Sequence, residues 1–459
     1  LKVAFVASEA IPYAKTGGLA DVVGTLPKYL NKLGIKTIIF LPKYKGIVGK
    51  FQKELSVKLD NTDKVKIFRD ETGYFVDYPE FYDREGIYGT PGGDFEDNCE
   101  RFTLFCKAVT QFITEDSFDL IHCHDWQTGL IPLYIRLKGL NIKTVFTIHN
   151  LGYQGKFPAS KFSLLGIDEK YFTPEGIEFY GEINFLKAGI LYSDVITTVS
   201  ENYAKEIQTP EFGFGLEGVL KNRGENIFGI INGIDYNIWN PQTDPLIYHN
   251  YSDFRGKQKN KIAITSEYNL DPTRPLIGMV SRVAAQKGFD ILIDVLGDII
   301  DKGFCLILLG LGEEIYHQKL KGFENLYPKC LSINIKFDNR LAHRIYAASD
   351  FFIMPSLYEP CGLGQLISLK YGTIPMVRRV GGLADTVNEF NPETLTGNGF
   401  LFDDYSGKAL IGGLEKAYKI YQNQALFLTL SENCMKYDYS WERSAERYKN
   451  LYEELFLGQ

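Results

Sequence analysis

Three short runs place charge beside glycine. The first, Lys15-Thr16-Gly17-Gly18-Leu19-Ala20-Asp21, follows the apolar run 3–7 and opens a helical stretch. Adjacent glycines let a backbone pass close to a ligand, and helix-start amides favour a phosphate. The same residues also suit a tight turn with a solvated lysine. In the second, Arg282 ends the apolar run 276–281, and Lys287-Gly288 follows five residues later, just before another helix. A guanidinium fork and an ammonium point charge together suit a diphosphate leaving group, whereas two unrelated surface cations are the plainer alternative. The third, Glu359-Pro360-Cys361-Gly362-Leu363-Gly364, leads from the apolar run 351–354 into a helix. Its amides are placed to face the same anion while Glu359 accepts from hydroxyls.

Polar residues cluster at two further strand ends, His122-Cys123-His124-Asp125-Trp126 and His149-Asn150-Leu151-Gly152. A sugar with several hydroxyls needs such a lining. His122 and His124 share one strand face, half of a metal-ligand pattern. No further His, Asp or Glu set is spaced to complete a shell, and no DxD clamp is present, so the expectation is no metal. Gly310-Leu311-Gly312 is a lone GxG and reads as a tight connection. The KTGG run after the first apolar stretch is not the GxGxxG of dinucleotide folds, and no G-x-S-x-G or Walker loop occurs.

The elements that must carry these loops alternate. In the first half, strands are expected at 3–7, 37–41, 119–123, 144–148, 195–199 and 228–231, with a helix at 19–33. In the second half they are expected at 276–281, 305–309, 333–337, 351–354 and 375–378, with helices at 289–301 and 342–348. Short apolar runs alternating with helices mean α/β with parallel sheets, and 459 residues exceed one core, so two doubly wound domains are expected. The Pro-, Asn- and Asp-rich stretch 239–251 reads as the joint, and 440–457 as an amphipathic helix with a Ser N-cap. The domains are then 1–240, 241–437 and a closing helix, 438–459.

Composition narrows the partners. The net charge of −7 offers no general attraction to nucleic acid or anionic membranes, so an anionic ligand must be met by local cations. No apolar run approaches the roughly 20 residues of a membrane span, and the start shows no signal-peptide pattern. Seven cysteines (99, 106, 123, 305, 330, 361 and 434) without CxxC pairing suit a reducing compartment, the cytoplasm or a plastid stroma. Aromatics, 14% of the chain, mostly fill cores, although some could stack on sugars.

Taken together, KTGGLADVVG (15–24), HCHDWQTGL (122–130), IHNLGYQG (148–155), INFLKAGI (183–190), INGID (231–235), SRVAAQKG (281–288), LAHRIYAASD (341–350), EPCGLGQL (359–366) and GGLADTV (381–387) resemble the glycogen/starch synthase family, in order and across nearly the whole chain. The resemblance implies a GT-B fold, two Rossmann-like domains facing across a cleft. It implies glucose transfer, with retention of configuration, from ADP-glucose or UDP-glucose to the non-reducing end of an α-1,4-glucan: maltooligosaccharide, glycogen or starch. No cofactor is implied.

Carried over by position, Lys15 and Gly18 resemble diphosphate and acceptor-loop residues, and Arg282 and Lys287 the diphosphate cations. Glu359, Cys361, Gly362 and Leu363 resemble the loop holding donor glucose and phosphates, and His149 the histidine near the anomeric centre. Asp21, Asp125, Asn150 and Asn232 resemble the sugar-pocket lining, and Tyr88 in YDREGIYG (82–89) an aromatic near the nucleotide. Lys15, His149, Arg282, Lys287 and Glu359 are the expected catalytic set. Two positions depart. Gly364 stands where the family commonly has Thr, so a hydroxyl contact to phosphate is missing and only the amide remains. Ile367 stands where related retaining transferases carry a ribose-binding glutamate. The competing readings are a retaining transferase with a small acceptor, a non-catalytic glucan-binding relative, and a nicotinamide dehydrogenase, the last disfavoured because the first strand-to-helix loop is KTGG rather than GxGxxG and no acidic ribose partner is found.

Overall fold

The computed structural model describes residues 1–59, 61–90 and 92–457. The chain forms two compact units. Leu1–Val199, Ala204–Ile230 and the segment from Trp441 make the first; Ser200–Tyr203 and Ile231–Ser440 make the second.

The strands of the first unit that matter below are β1 (Lys2–Val6), β2 (Lys36–Pro42), β3 (Lys50–Lys58), β4 (Thr62–Arg69), β5 (Gly73–Asp77), β6 (Leu120–His124), β7 (Lys143–Ile148), β8 (Glu178–Phe179), β9 (Glu182–Asn184), β10 (Val195–Thr198) and β11 (Ile227–Gly229). Nine of them form one sheet in the order β11-β10-β7-β6-β1-β2-β5-β4-β3. From β11 to β5 all neighbours run parallel; β5, β4 and β3 are antiparallel. Nearly continuous apolar sequence in β1 and β7 buries both sheet faces, as parallel strands require. The residues of β3, KFQKELSVK, instead alternate, with Leu55 and Val57 inward and charge outward. Charged residues interrupting every apolar run hid β3 and β4 from a search for continuous hydrophobic stretches.

Helix α1 (Gly18–Lys32) starts at the loop after β1, and α2 (Asn98–Glu115) precedes β6. The last helix, Trp441–Leu457, buries Trp441, Ser444, Ala445, Tyr448, Leu451 and Tyr452 at helical spacing and packs on α1. Its Tyr452 hydroxyl bonds His122 Nδ1 at 2.6 Å.

The second unit has β12 (Leu276–Val280), β13 (Cys305–Gly310), β14 (Leu331–Ile335), β15 (Phe351–Met354), β16 (Ile374–Arg378) and β17 (Phe400–Phe402), all parallel. Their order, β14-β13-β12-β15-β16-β17, is doubly wound, and its direction reverses between β12 and β15. Along β13, Leu306 and Leu308 face one core while Cys305, Ile307 and Leu309 face the other. The helix expected over 289–301 breaks at Val295 into Phe289–Asp294 and Leu296–Asp301, and the strand expected at 333–337 sits at Leu331–Ile335. The stretch 239–251, read as the joint, lies inside the second unit. Its polar groups are satisfied there. Trp239 stacks on His343 at 3.9 Å, and Asp244 accepts from His343 Nδ1 at 2.7 Å and from the Tyr371 hydroxyl at 2.6 Å. Among the described residues no helix is long and apolar enough to cross a membrane.

A buried lysine gives this unit a pH signature. Lys257, on α3 (Phe254–Glu267), donates to Ala347 O at 3.0 Å and Thr373 Oγ1 at 2.5 Å, at the carboxyl end of α4 (Asn339–Ala348). Burial pushes its ammonium down from 10.5 to about 7. Between those values the unfolded chain holds a proton that the folded chain lacks, so stability rises with pH across the window, by at most ~1.4 kcal/mol per pH unit. Urea midpoints of Lys257→Met are expected to lose that rise relative to the native chain between pH 7 and 10; parallel pH curves for the two would refute it.

Candidate active site

In each sheet the functional loops sit at the carboxyl ends of strands flanking the reversal of order, where doubly wound folds bind ligands. In the first unit the reversal lies between β1 and β6. The chain leaves β1 at Ala7, passes Glu9 and enters α1 through Lys15–Gly18. Glu9, almost fully buried, organises the turn. Its carboxylate accepts from Thr16 N, from Thr16 Oγ1 at 2.6 Å, from Gly17 N at 3.1 Å and from the Tyr88 hydroxyl at 2.6 Å. Tyr88 in turn meets Ser8 Oγ at 2.7 Å.

The sequence expectation of a turn with free amides is therefore corrected in part. Thr16 N and Gly17 N are already used, and only the first-turn amides of α1, from Gly18 onward, lack intrahelical partners. A β-carbon at Gly17 or Gly18 would meet nothing within 4 Å, so internal packing does not demand either glycine. Lys15 is half exposed, its ammonium 2.6 and 2.8 Å from the two Asp21 oxygens.

Asp125 ends β6 with φ 56°, a left-handed conformation that costs a non-glycine residue about 1 kcal/mol or more. The strain puts its carboxylate under the next loop, where Oδ1 accepts from His149 N at 2.7 Å. Burial, partly offset by that N–H and the Asn150 N–H, raises the carboxyl to about 7. Burial lowers His149 to about 3, so its imidazole is neutral. His149 Nε2 lies 3.0 Å from His124 Nδ1, and His124 Nε2 is buried without a partner. A buried N–H without an acceptor is rarer and costlier than a bare lone pair. His124 thus donates from Nδ1, and His149 keeps its own proton on Nδ1. Asn150 Oδ1 accepts from Gly152 N at 3.0 Å, shaping the same loop. The half metal pattern is absorbed: both His122 nitrogens are engaged, by Tyr452 at 2.6 Å and Thr147 Oγ1 at 2.5 Å.

In the second unit the loops after β12 and β15 meet. Lys287 Nζ lies 2.9 and 2.7 Å from the Glu359 oxygens, and Ser356 Oγ donates to Glu359 Oε2 at 2.9 Å. Gly288, φ 76°, permits this approach, since a β-carbon there would lie 2.0 Å from Pro355 O. Arg282 stands exposed at the end of β12, outside the Lys287–Glu359 pair. Beyond Glu359, Gly362 turns at φ 72°, and Gln365 Nε2 donates to Cys361 O at 2.9 Å and Gly362 O at 3.1 Å. Those carbonyls are turned inward, toward Gln365. Gly381 and Gly382 begin a helix pressed on the same loop, where β-carbons would lie 1.9 Å from Glu359 O and 2.1 Å from Cys361 O.

Asn232 is buried beside Cys361, its backbone N–H against the thiol, and its side-chain oxygen has no partner. Leu363 caps α5 (Gly364–Lys370). A β-carbon at Gly364 would come within 2.8 Å of the Phe352 ring, so Phe352 occupies the room a threonine would need. Ile367 is buried among Ile234, Tyr251, Phe352 and Tyr371.

Glu9, Ser356 and Gln365 were missed by sequence reasoning. Glu9 left one signal, a lone acidic residue directly after a buried strand; the other two resemble ordinary loop polars until the fold closes on them.

The second unit thus carries a cation–carboxylate pair among glycine-turned amides at the reversal point of its doubly wound sheet, the place where such folds bind ligands. Residues 2–222 match the family model of the starch synthase catalytic domain, and residues 260–438 that of glycosyl transferases group 1. The chain is 42% identical to glycogen synthase of Thermodesulfovibrio yellowstonii and 45% identical to that of Clostridium perfringens, in both cases over 99% of this chain and 98% of the relative. The catalytic domain of starch synthase IV from Arabidopsis thaliana, solved bound to ADP and acarbose, superposes with a TM-score of 0.88 at 34% identity, covering 99% of each chain. The chain belongs to the glycogen/starch synthase family, and its activity is that of a glycosyltransferase.

Proposed function

We propose that the chain transfers glucose from ADP-glucose to the non-reducing end of an α-1,4-glucan, with retention, in the cytoplasm. The second unit is the donor side, with Arg282, Lys287 and the amides of 361–364 taking the departing diphosphate and Glu359 holding sugar hydroxyls. The first unit is the acceptor side, where Lys15 serves a phosphate, His149, Asp21, Asp125 and Asn150 serve the sugars and Tyr88 serves the nucleotide; in the second unit Asn232 is a further polar group for a sugar. The observation that carries this reading is the Lys287–Glu359 pair at the reversal point of the second sheet, a cation poised for phosphate and tied to a hydroxyl acceptor.

The choice of ADP-glucose is supported by the ADP bound to the starch synthase IV relative, and a glucan acceptor by the acarbose bound there. Retention is what membership of the family implies; Glu359, with both oxygens facing Lys287 and one also facing Ser356, is held as a fixed acceptor rather than as the nucleophile of a double displacement. Attack on the same face, assisted by the leaving phosphate oxygen, needs only the stabilisation of separating charge that these groups supply. Seven cysteines, none in a disulfide, fit a reducing compartment.

The test is a competition between ADP-glucose and UDP-glucose, each with its own isotope, on maltoheptaose. The expected product is a ladder of longer α-1,4 chains carrying mostly the ADP-glucose label. Predominant UDP-glucose label would overturn the donor assignment. Transfer to small acceptors alone would overturn the acceptor assignment.

A further inference from the structure

Two aromatic residues of the first unit occupy backbone positions that disfavour them. Between β8 and β9 the hairpin turn is Tyr180-Gly181, with φ 50° and 82°. Two positive φ values in a two-residue turn call for Asn-Gly or Gly-Gly, because a β-carbon is crowded there. The Tyr180 side chain recovers little by burial, being 83% exposed. Phe214-Gly215 repeats the conformation, φ 49° and 84°, with Phe214 42% exposed.

The two turns come from different parts of the chain and meet. A β-carbon at Gly215 would lie 2.9 Å from the Phe179 ring and 3.4 Å from the Tyr180 ring. Both are joined to the loop of His149 and Asn150. Gln154 of that loop donates to Phe214 O at 3.0 Å and accepts from Asn184, on β9, at 2.7 Å. Tyr153, 54% exposed, lies on the same loop, its N–H on Asn150 O at 3.2 Å.

Stability alone selects against large exposed rings at positive φ, so their occurrence side by side calls for a use. Continuity with the His149–Asn150 loop identifies the occupant. A glucan acceptor is a polymer, and glucose units beyond the reacting one present flat C–H faces that lose apolar surface to water when laid on an aromatic ring. We propose that Tyr180 and Phe214, flanked by Tyr153, form a platform that binds the glucan chain away from the reacting end. The proposal rests on the acceptor-side reading of the His149 loop.

Asparagine at 180 suits the turn better than tyrosine and removes the ring, so one substitution separates folding from binding. For Tyr180→Asn the expected results are an unchanged or raised Tm and an increase of about tenfold in the ratio of half-saturating glycogen to half-saturating maltotriose. Retardation in a native gel cast with glycogen should also be lost, and Tyr180→Trp should restore it. The gel needs neither donor nor turnover, so a failure to extend glucan counts against the transfer reading alone. Undiminished retardation and an unchanged ratio in a Tyr180→Asn, Phe214→Asn double variant would overturn the platform.

Discussion

Lys287→Ala is expected to lower kcat by about a thousandfold or more, with little recovery at saturating donor. Removing one well-placed donor to a developing anion typically costs about 10²–10³ in rate, and here the loss has a second part. Without Lys287, Glu359 keeps Ser356 as its donor among the described residues. Its buried carboxylate then stands uncompensated where a diphosphate must bind, which both repels the leaving group and destabilises the loop by roughly 2–3 kcal/mol. The two parts separate in the double variant. Adding Glu359→Gln removes the stranded charge and should restore most of the lost Tm, while kcat stays low because the cation is still missing. Initial rates and thermal melts on the four proteins of this cycle measure both. A single variant within tenfold of native kcat would remove Lys287 from the mechanism.

Glu9→Ala is expected to reduce kcat by about a hundredfold and stability by about 3 kcal/mol, since it strips the acceptor from two amides and two hydroxyls that bind one carboxylate. Glu9→Gln should be mild. The amide oxygen can take the place of Oε2 under Thr16 N and Gly17 N, and the amide nitrogen then faces Thr16 Oγ1 and the Tyr88 hydroxyl, both of which can turn to accept. Hydrogen exchange of residues 14–19 should quicken in the alanine variant and stay slow in the glutamine variant. Equal behaviour of the two would mean that Glu9 does not hold the turn.

The alternation of apolar runs made the parallel strands legible, and glycine beside charge made the loops legible, because both properties are local. What lay hidden depended on contacts distant in sequence. Glu9 and Tyr88 are joined only because β1 and the 82–89 segment fold to the same place. Gly364 read as a lost hydroxyl, whereas Phe352 shows that the position is filled by a ring from the neighbouring strand. The joint was misplaced because proline, asparagine and aspartate look like a linker until Asp244 is seen inside a cluster with His343 and Tyr371. Tyr180 and Phe214 could not be singled out at all, since backbone handedness is invisible without coordinates.

Of the four outer strands in the two large sheets, β11 and β17 have three residues and β14 five, too short to template another chain. Only β3, with nine, presents a long open row of peptide groups. It is blunted by lysines at 50, 53 and 58 and by a break in register between Phe51 and Lys53. An incoming strand would find like charges and a mismatched ladder, which keeps this border from seeding aggregates when many copies crowd together.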